Sequence, residues 1–327
     1  MTESVPNIHE IRALRERLRE QAIRTPVVRC AAIEEQLGGG TQVFAKLEFL
    51  QRTGTFKARG ALASLHGLTR EQHANGVTAV SAGNHAIATA YAAQAVGTSA
   101  KLVMIRSANP SRVASCRAFG AEVLMADDVH QAFELAQQIR DEEGRFFVHP
   151  FEGLSVALGT GTVGLEICEQ VDDFDAIVIP IGGGGLIGGI SNAIKQLQPG
   201  VEIIGVEPEG ADSMHRSFAS GVPESIEKVT TIADSLGAPF AMPYSFELAR
   251  KNVDRLAMIN DDQIRKAMGF LFQSMNIAVE PACAATTAAL LGPLRDSLKG
   301  KRVTLLMCGS NIDWATYSEQ VVFNDAA

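Results

Sequence analysis

The sequence predicts an α/β protein made of two open, mainly parallel sheets. Three observations carry that prediction. Short β-rich runs alternate with longer Ala-rich segments along most of the chain. The runs are too many for one open sheet, and the first set of them ends at His149-Pro150-Phe151. At 327 residues the chain has room for two hydrophobic cores.

The elements follow in order. A helix is predicted over Ile8–Ala22, with Asn7 as its cap, Glu10 three residues later, and Ile8, Ile11, Leu14 and Leu18 on one face. Arg24-Thr25-Pro26 ends it. Val43–Glu48 reads as a strand running into a Gly-flanked turn and a further helix. The clearest strands after that are Val77–Val80, Leu102–Ile105, Val123–Met125, Phe146–Val148, Ala176–Pro180, Ile203–Val206 and Val303–Met307. Helical stretches between them are Ala86–Val96, Ser111–Phe119, Val129–Glu142, Thr162–Gln170, Gly188–Leu197 and Ile264–Met275. Buried-looking strands separated by helices form βαβ units and parallel sheet. No internal repeat, low-complexity tract or long linker interrupts them. Ligands of such sheets bind beyond the carboxyl ends of the strands, so the loops there hold the candidate site.

Composition narrows the function. Hydrophobic residues at 46% and charged residues at 20% fit a soluble globular protein. A net charge of -8 without a dense Lys/Arg run argues against nucleic acid as a partner. Cys30, Cys116, Cys168, Cys283 and Cys308 are scattered and lack CxxC spacing, which fits reduced thiols in the cytoplasm and gives no zinc signature. No apolar run reaches the length of a membrane span, and the polar start is no signal peptide. The expectation is a cytoplasmic, enzyme-sized protein with a small-molecule partner.

Four loops carry the chemistry. Lys57 lies in Gly54-Thr55-Phe56-Lys57-Ala58-Arg59-Gly60. Taken alone it reads as a snorkelling surface lysine. Inside a pocket, desolvation would lower its pKa and free an amine for a Schiff base. The strand Val77–Val80 runs into Ser81-Ala82-Gly83-Asn84-His85, where backbone N–H groups at a helix start suit a carboxylate or phosphate. Ordinary capping by Ser and Asn is the competing reading, but capping does not require five small or polar residues in a row. The third loop, Gly182-Gly183-Gly184-Gly185, follows a buried strand, and bare glycine backbone can wrap a phosphate. Cys308, at the end of the last strand, is either a packing residue or one that faces a ligand.

With these four segments in hand, the chain resembles the fold-type II (tryptophan synthase β-like) pyridoxal-phosphate enzymes of the serine/threonine dehydratase and serine racemase group. The resemblance spans Arg24-Thr25-Pro26 to Asn311-Ile312-Asp313 and includes His149-Pro150-Phe151, Val206-Glu207-Pro208, Thr231-Ile232-Ala233-Asp234 and Glu280-Pro281-Ala282. It implies a homodimer with pyridoxal 5'-phosphate as cofactor, a small domain of residues 48–149, and a large discontinuous domain of residues 1–47 and 150–327. Lys57 is then the catalytic residue and Schiff-base partner. Phe56 lies against the pyridine ring, Asn84 bonds the phenolic oxygen, and Gly182, Gly183, Gly184 and Gly185 bind the phosphate. Cys308 stands beside the pyridine nitrogen. Ser81, Ala82, Gly83, Asn84 and His85 hold the substrate carboxylate. The implied reaction converts a β-hydroxy amino acid of the L-threonine or L-serine type to a 2-oxo acid and ammonia. Hydroxyaspartate and phenylserine are alternatives on the same machinery, and a β-replacing synthase comes after them.

The departures matter as well. Ala82 stands where serine racemases have a second serine, so elimination is expected rather than racemisation. In the family's divalent-cation loop Glu207 and Ala211 match, but Ser213 replaces the acidic ligand, so no metal is assigned. Ser235 replaces a glycine, and Thr160, in a turn read over Gly159–Thr162, replaces a common glutamine. A rival reading takes Gly183-x-Gly185-x-x-Gly188 with Glu207 as a nicotinamide-binding unit. It leaves Lys57 and Ser81–His85 unexplained.

Overall fold

The computed structural model describes residues 4–323. Ten strands form two sheets: β1 (Val27–Arg29), β2 (Gln42–Leu47), β3 (Val77–Val80), β4 (Ala100–Ile105), β5 (Glu122–Ala126), β6 (Phe146–Phe147), β7 (Ala176–Pro180), β8 (Glu202–Pro208), β9 (Arg255–Ile259) and β10 (Arg302–Met307). The smaller sheet has the order β5-β4-β3-β6 and is parallel throughout. The larger has the order β1-β2-β10-β7-β8-β9, parallel except where β1 runs against β2. The large sheet therefore takes strands from both sides of the small one in sequence. Its central strands are continuous apolar runs because helices cover both faces; every residue of β7 is buried.

Two strands escaped the sequence reading. β1 has three residues between Pro26 and Cys30, and β9 begins on Arg255; both are edge strands, where the pattern is short and charge is tolerated. The first helix stops at Leu18 rather than Ala22, although its capping box between Asn7 and Glu10 is as expected. The larger correction is Gly159–Thr162. It is not a turn but lies inside the helix Leu154–Gln170. These glycines pack rather than bend. A Cβ at Gly159 would collide with the Arg59 backbone, and one at Gly164 would lie 2.7 Å from the Ile190 carbonyl. That helix thus packs closely on the helix Lys57–His66 and on the helix Gly185–Leu197, which brings two candidate loops to one place.

Candidate active site

Lys57 is held at a helix start by contacts with the end of β10. Thr55 forms an isolated bridge with Gly309, and Phe56 N–H donates to the Cys308 carbonyl at 3.2 Å. Gly54 has φ +73, and a Cβ there would collide with the Asn311 side chain. The Lys57 amine donates to the Pro150 carbonyl at 2.6 Å and stands 5.2 Å from the Phe56 ring centre. Burial pulls it down to about 8, against the raising influence of Cys308 and Glu280. Nearby, Arg59 is fully buried between Glu48 and Glu166, with further bonds to Thr162 and the Ile23 carbonyl. This network anchors the helix that begins at Lys57.

The cavity around Lys57 is lined by Phe56, Gly60, Ala61, Val156, Thr160 and Leu186, with His85, His149 and Pro150 completing the wall. Its two histidines are neutral at pH 7. Burial lowers His85 to about 3 and His149 to about 4, and Lys57 adds to both shifts. His85 Nε2 pairs with the Val148 carbonyl at 2.8 Å, so its ring is tied into the fold. The Nδ1 of His149 accepts the backbone N–H groups of Phe151 and Glu152 and shapes the turn that presents Pro150 to Lys57. Thr160, expected only as an altered pocket residue, donates to the Gly185 carbonyl at 2.9 Å and ties the glycine loop to the neighbouring helix.

The loop Gly182–Gly185 reaches the same place through Phe151. A Cβ at Gly183 would collide with the Phe151 ring, and one at Gly185 with the Phe151 carbonyl. Gly184 has φ +89. The glycines are therefore required by packing as well as by any ligand. No side chain caps the helix that begins at Gly185, so its first N–H groups point out of the helix without a capping partner. The helix Asn84–Val96 likewise starts without a side-chain cap, behind a turn in which Ser81 Oγ accepts the Gly83 N–H at 3.1 Å.

Asn84 crosses from the small sheet to the large-sheet side. Its amide donates to Glu280 and Ser235 and accepts from Asn311. Glu280 is buried, and burial raises it to about 7, opposed by the Asn84 amide and helped by Asp234. Arg112 makes a second link, to Asp234 at 2.5 Å and to the Asn311 carbonyl at 3.1 Å. Neither Glu280 nor Arg112 was singled out as a site residue in the sequence. Glu280 enters the sequence reading only within the segment Glu280-Pro281-Ala282, with no role, and Arg112 not at all, because their partners lie far along the chain. Cys308 is buried, and its thiol is pushed well up by a hydrogen bond with Cys283 and by burial. It is a neutral group at the strand end.

Glu207 is occupied. Its carboxylate accepts the N–H groups of Met214 and His215 and pairs with His215 Nδ1 at 2.6 Å. Those bonds anchor the helix Ser213–Ser220, and Glu207 is fully buried, which argues against a ribose contact and the nicotinamide reading. Among the described residues, no group of three or more His, Cys, Asp or Glu side chains converges as a metal site would require.

Comparison with known proteins settles the family. The model for "pyridoxal-phosphate dependent enzyme" matches residues 18–309. The chain belongs to this family. It is 51% identical to a phenylserine dehydratase of Ralstonia pickettii over 98% of both chains. It is 38% identical to an L-threonine ammonia-lyase of Thermotoga maritima over 94% of this chain and 76% of that one. The solved maize serine racemase superposes with a TM-score of 0.92 at 33% identity, over 97% of each chain. The two-sheet fold is that of the fold-type II enzymes, and the cofactor is pyridoxal phosphate.

Proposed function

We infer that this chain is a pyridoxal-phosphate-dependent lyase that converts a β-hydroxy amino acid to a 2-oxo acid and ammonia, with an apolar β-substituent of the phenylserine or threonine kind. One observation carries the substrate reading. Of the described residues lining the cavity around Lys57, Lys57 is the only cation, because His85 and His149 are held neutral. The remaining wall is apolar or small. An apolar β-substituent suits such a wall, whereas the second carboxylate of hydroxyaspartate would meet no cation on it other than Lys57. The 51% identity to a phenylserine dehydratase supports placing the aromatic substrate first.

The residues present fit the cofactor. Lys57 offers a partly deprotonated amine. The helix start at Gly185 has no side-chain cap, so its N–H groups suit a phosphate. In this proposal Phe56 lies against the ring, Asn84 meets the phenolic oxygen, Gly182 to Gly185 hold the phosphate, and Cys308 stands by the ring nitrogen. When bound, the cofactor supplies an electron-withdrawing ring that acidifies the substrate Cα–H. The chain's own residues do the rest. The N–H groups of the Ser81–His85 loop would hold the substrate carboxylate, and the Lys57 amine would take the Cα proton. Ala82 cannot return a proton to the opposite face, which leaves loss of the β-hydroxyl as the outcome. The neutral Cys308 thiol would offer the ring nitrogen no counter-charge. Water removed across Cα–Cβ is taken up again as the released enamine becomes a 2-oxo acid and ammonia.

The same proposal divides the chain into a small domain of residues 48–149 and a large one of residues 1–47 and 150–327, and takes it to be a cytoplasmic homodimer. No helix among the described residues is long and apolar enough to cross a membrane. The test is a panel of L-phenylserine, L-threonine, L-serine and L-threo-hydroxyaspartate, with ammonia and 2-oxo acid both quantified. The highest kcat/KM is expected for phenylserine, and hydroxyaspartate should be the poorest. A preference for hydroxyaspartate would refute the substrate reading.

A further inference from the structure

Asn84 has two amide hydrogens and one carbonyl oxygen to place. Its Nδ2 stands 3.0 and 2.9 Å from the two carboxylate oxygens of Glu280 and 3.1 Å from Ser235 Oγ. Its Oδ1 accepts from Asn311 Nδ2 at 2.9 Å. Both hydrogens are therefore committed, one to the carboxylate and one to the hydroxyl. Turning the amide over would set its oxygen against a carboxylate, so Glu280 dictates which way the amide points. The two acceptors are unequal. Above about pH 7, the value to which burial raises Glu280, its bond to the amide is charge-assisted and about twice as strong as one to a neutral hydroxyl. Ser235 is thus the partner that can be exchanged. It also borders the glycine loop, since its carbonyl lies 3.3 Å from the place a Gly182 Cβ would take.

Glu280 is itself fixed in place. Its backbone N–H donates to the Gly309 carbonyl at 3.3 Å, and Oε1 would lie 2.5 Å from a Cβ at Gly309, the residue after Cys308. It is buried at the junction of Asn84, Arg112, Asp234 and Asn311, where it also accepts the Asn311 backbone N–H and faces the Arg112 charge.

We propose that Glu280 is a positioning residue for the cofactor: it fixes the Asn84 amide so that the hydrogen held by Ser235 is the one offered to the phenolic oxygen. The inference rests on the reading that Asn84 meets that oxygen. It gives the two neighbours of Asn84 opposite effects, with Glu280 supporting cofactor binding and Ser235 competing with it for one hydrogen. A residue that merely stabilised the fold would not produce that pair of signs.

The experiment uses the full chain stripped of pyridoxal phosphate and titrated back, with the cofactor Kd and the absorbance of the loaded protein as readouts. The absorbance reports whether the shared proton sits on the phenolic oxygen or on the nitrogen of the Lys57 link. Glu280→Gln should raise Kd by about tenfold or more, the worth of a hydrogen bond to a charged group. It should also shift the balance of the two bands toward the protonated phenol. Ser235→Ala should lower Kd by about two- to tenfold. In an Asn84→Ala background, Glu280→Gln should have no further effect on either readout. An unchanged Kd and spectrum for Glu280→Gln, or an equal effect without Asn84, would overturn the proposal. If Glu280→Gln does not fold, a raised Kd for Ser235→Ala overturns it alone. A wild-type chain that takes up no cofactor would instead overturn the reading on which the inference rests.

Discussion

Lys46 is fully buried and Lys57 half-buried, and burial lowers the pKa of each amine. Their surroundings make them different reagents. The Lys46 amine donates to the Thr25 carbonyl at 2.7 Å, Glu166 at 2.6 Å and Gln170 at 2.8 Å, which uses all three hydrogens of an ammonium. The carboxylates of Glu48 and Glu166 face it and Arg59, two negative charges against two positive. Among the described residues, Lys57 has one neutral acceptor, the Pro150 carbonyl, and no ion-pair partner. Burial with full compensation produces a structural ammonium. Burial with one carbonyl partner produces an amine that loses its proton near neutrality and has a lone pair to use.

The largest expected effect comes from exchanging the two roles. Lys57→Ala should cut turnover by at least about two to four orders of magnitude, the usual worth of a general base, with little change in melting temperature. Lys46→Met should do the reverse. It leaves a buried carboxylate uncompensated, which costs about 3–5 kcal/mol of stability by denaturant titration, while protein that remains folded keeps its activity per bound cofactor. Similar melting temperatures for the two variants would break the comparison.

The Lys57 side of this contrast was legible in the sequence, and the limits were physical. Lys57, Asn84 and Gly182–Gly185 stood out because glycines and small polar residues at strand ends mark places where backbone must approach a ligand. The paired strands of the large sheet stood out as unbroken apolar runs. The helix Leu154–Gln170 was half missed because Gly159 and Gly161 look like a loop when the helices packed against them are unseen. Glu280 and Arg112 took their meaning only from folding, since Asn84 and Glu280 are separated by 196 residues. Nothing local distinguishes Lys46 from a surface lysine in a strand, because all three of its partners come from elsewhere in the chain.

A pH measurement sharpens the comparison further. Below a pKa of about 8 the Lys57 amine is protonated and cannot attack an aldehyde; above it the amine is free. The rate at which cofactor-free protein takes up pyridoxal phosphate should therefore rise about tenfold per unit at low pH and level off near pH 8. A rate still climbing toward pH 10 would assign an ordinary, solvated lysine.

The smallest expected effect concerns the face of the substrate opposite Lys57. Residual substrate recovered after partial turnover of L-serine should contain no D-serine by chiral chromatography, because the Ala82 methyl donates no proton. Ala82→Ser should introduce a low but measurable amount. Substantial D-serine from the unaltered protein would require another donor on that face.

The most direct test of the account asks which lysine carries the cofactor. The loaded protein is reduced with borohydride, digested, and the pyridoxyl-lysine located by mass spectrometry. The account predicts a single modified peptide, the one containing Lys57, with Lys46 unmodified. Label on Lys46 or on any other lysine, or no label at all, would contradict it.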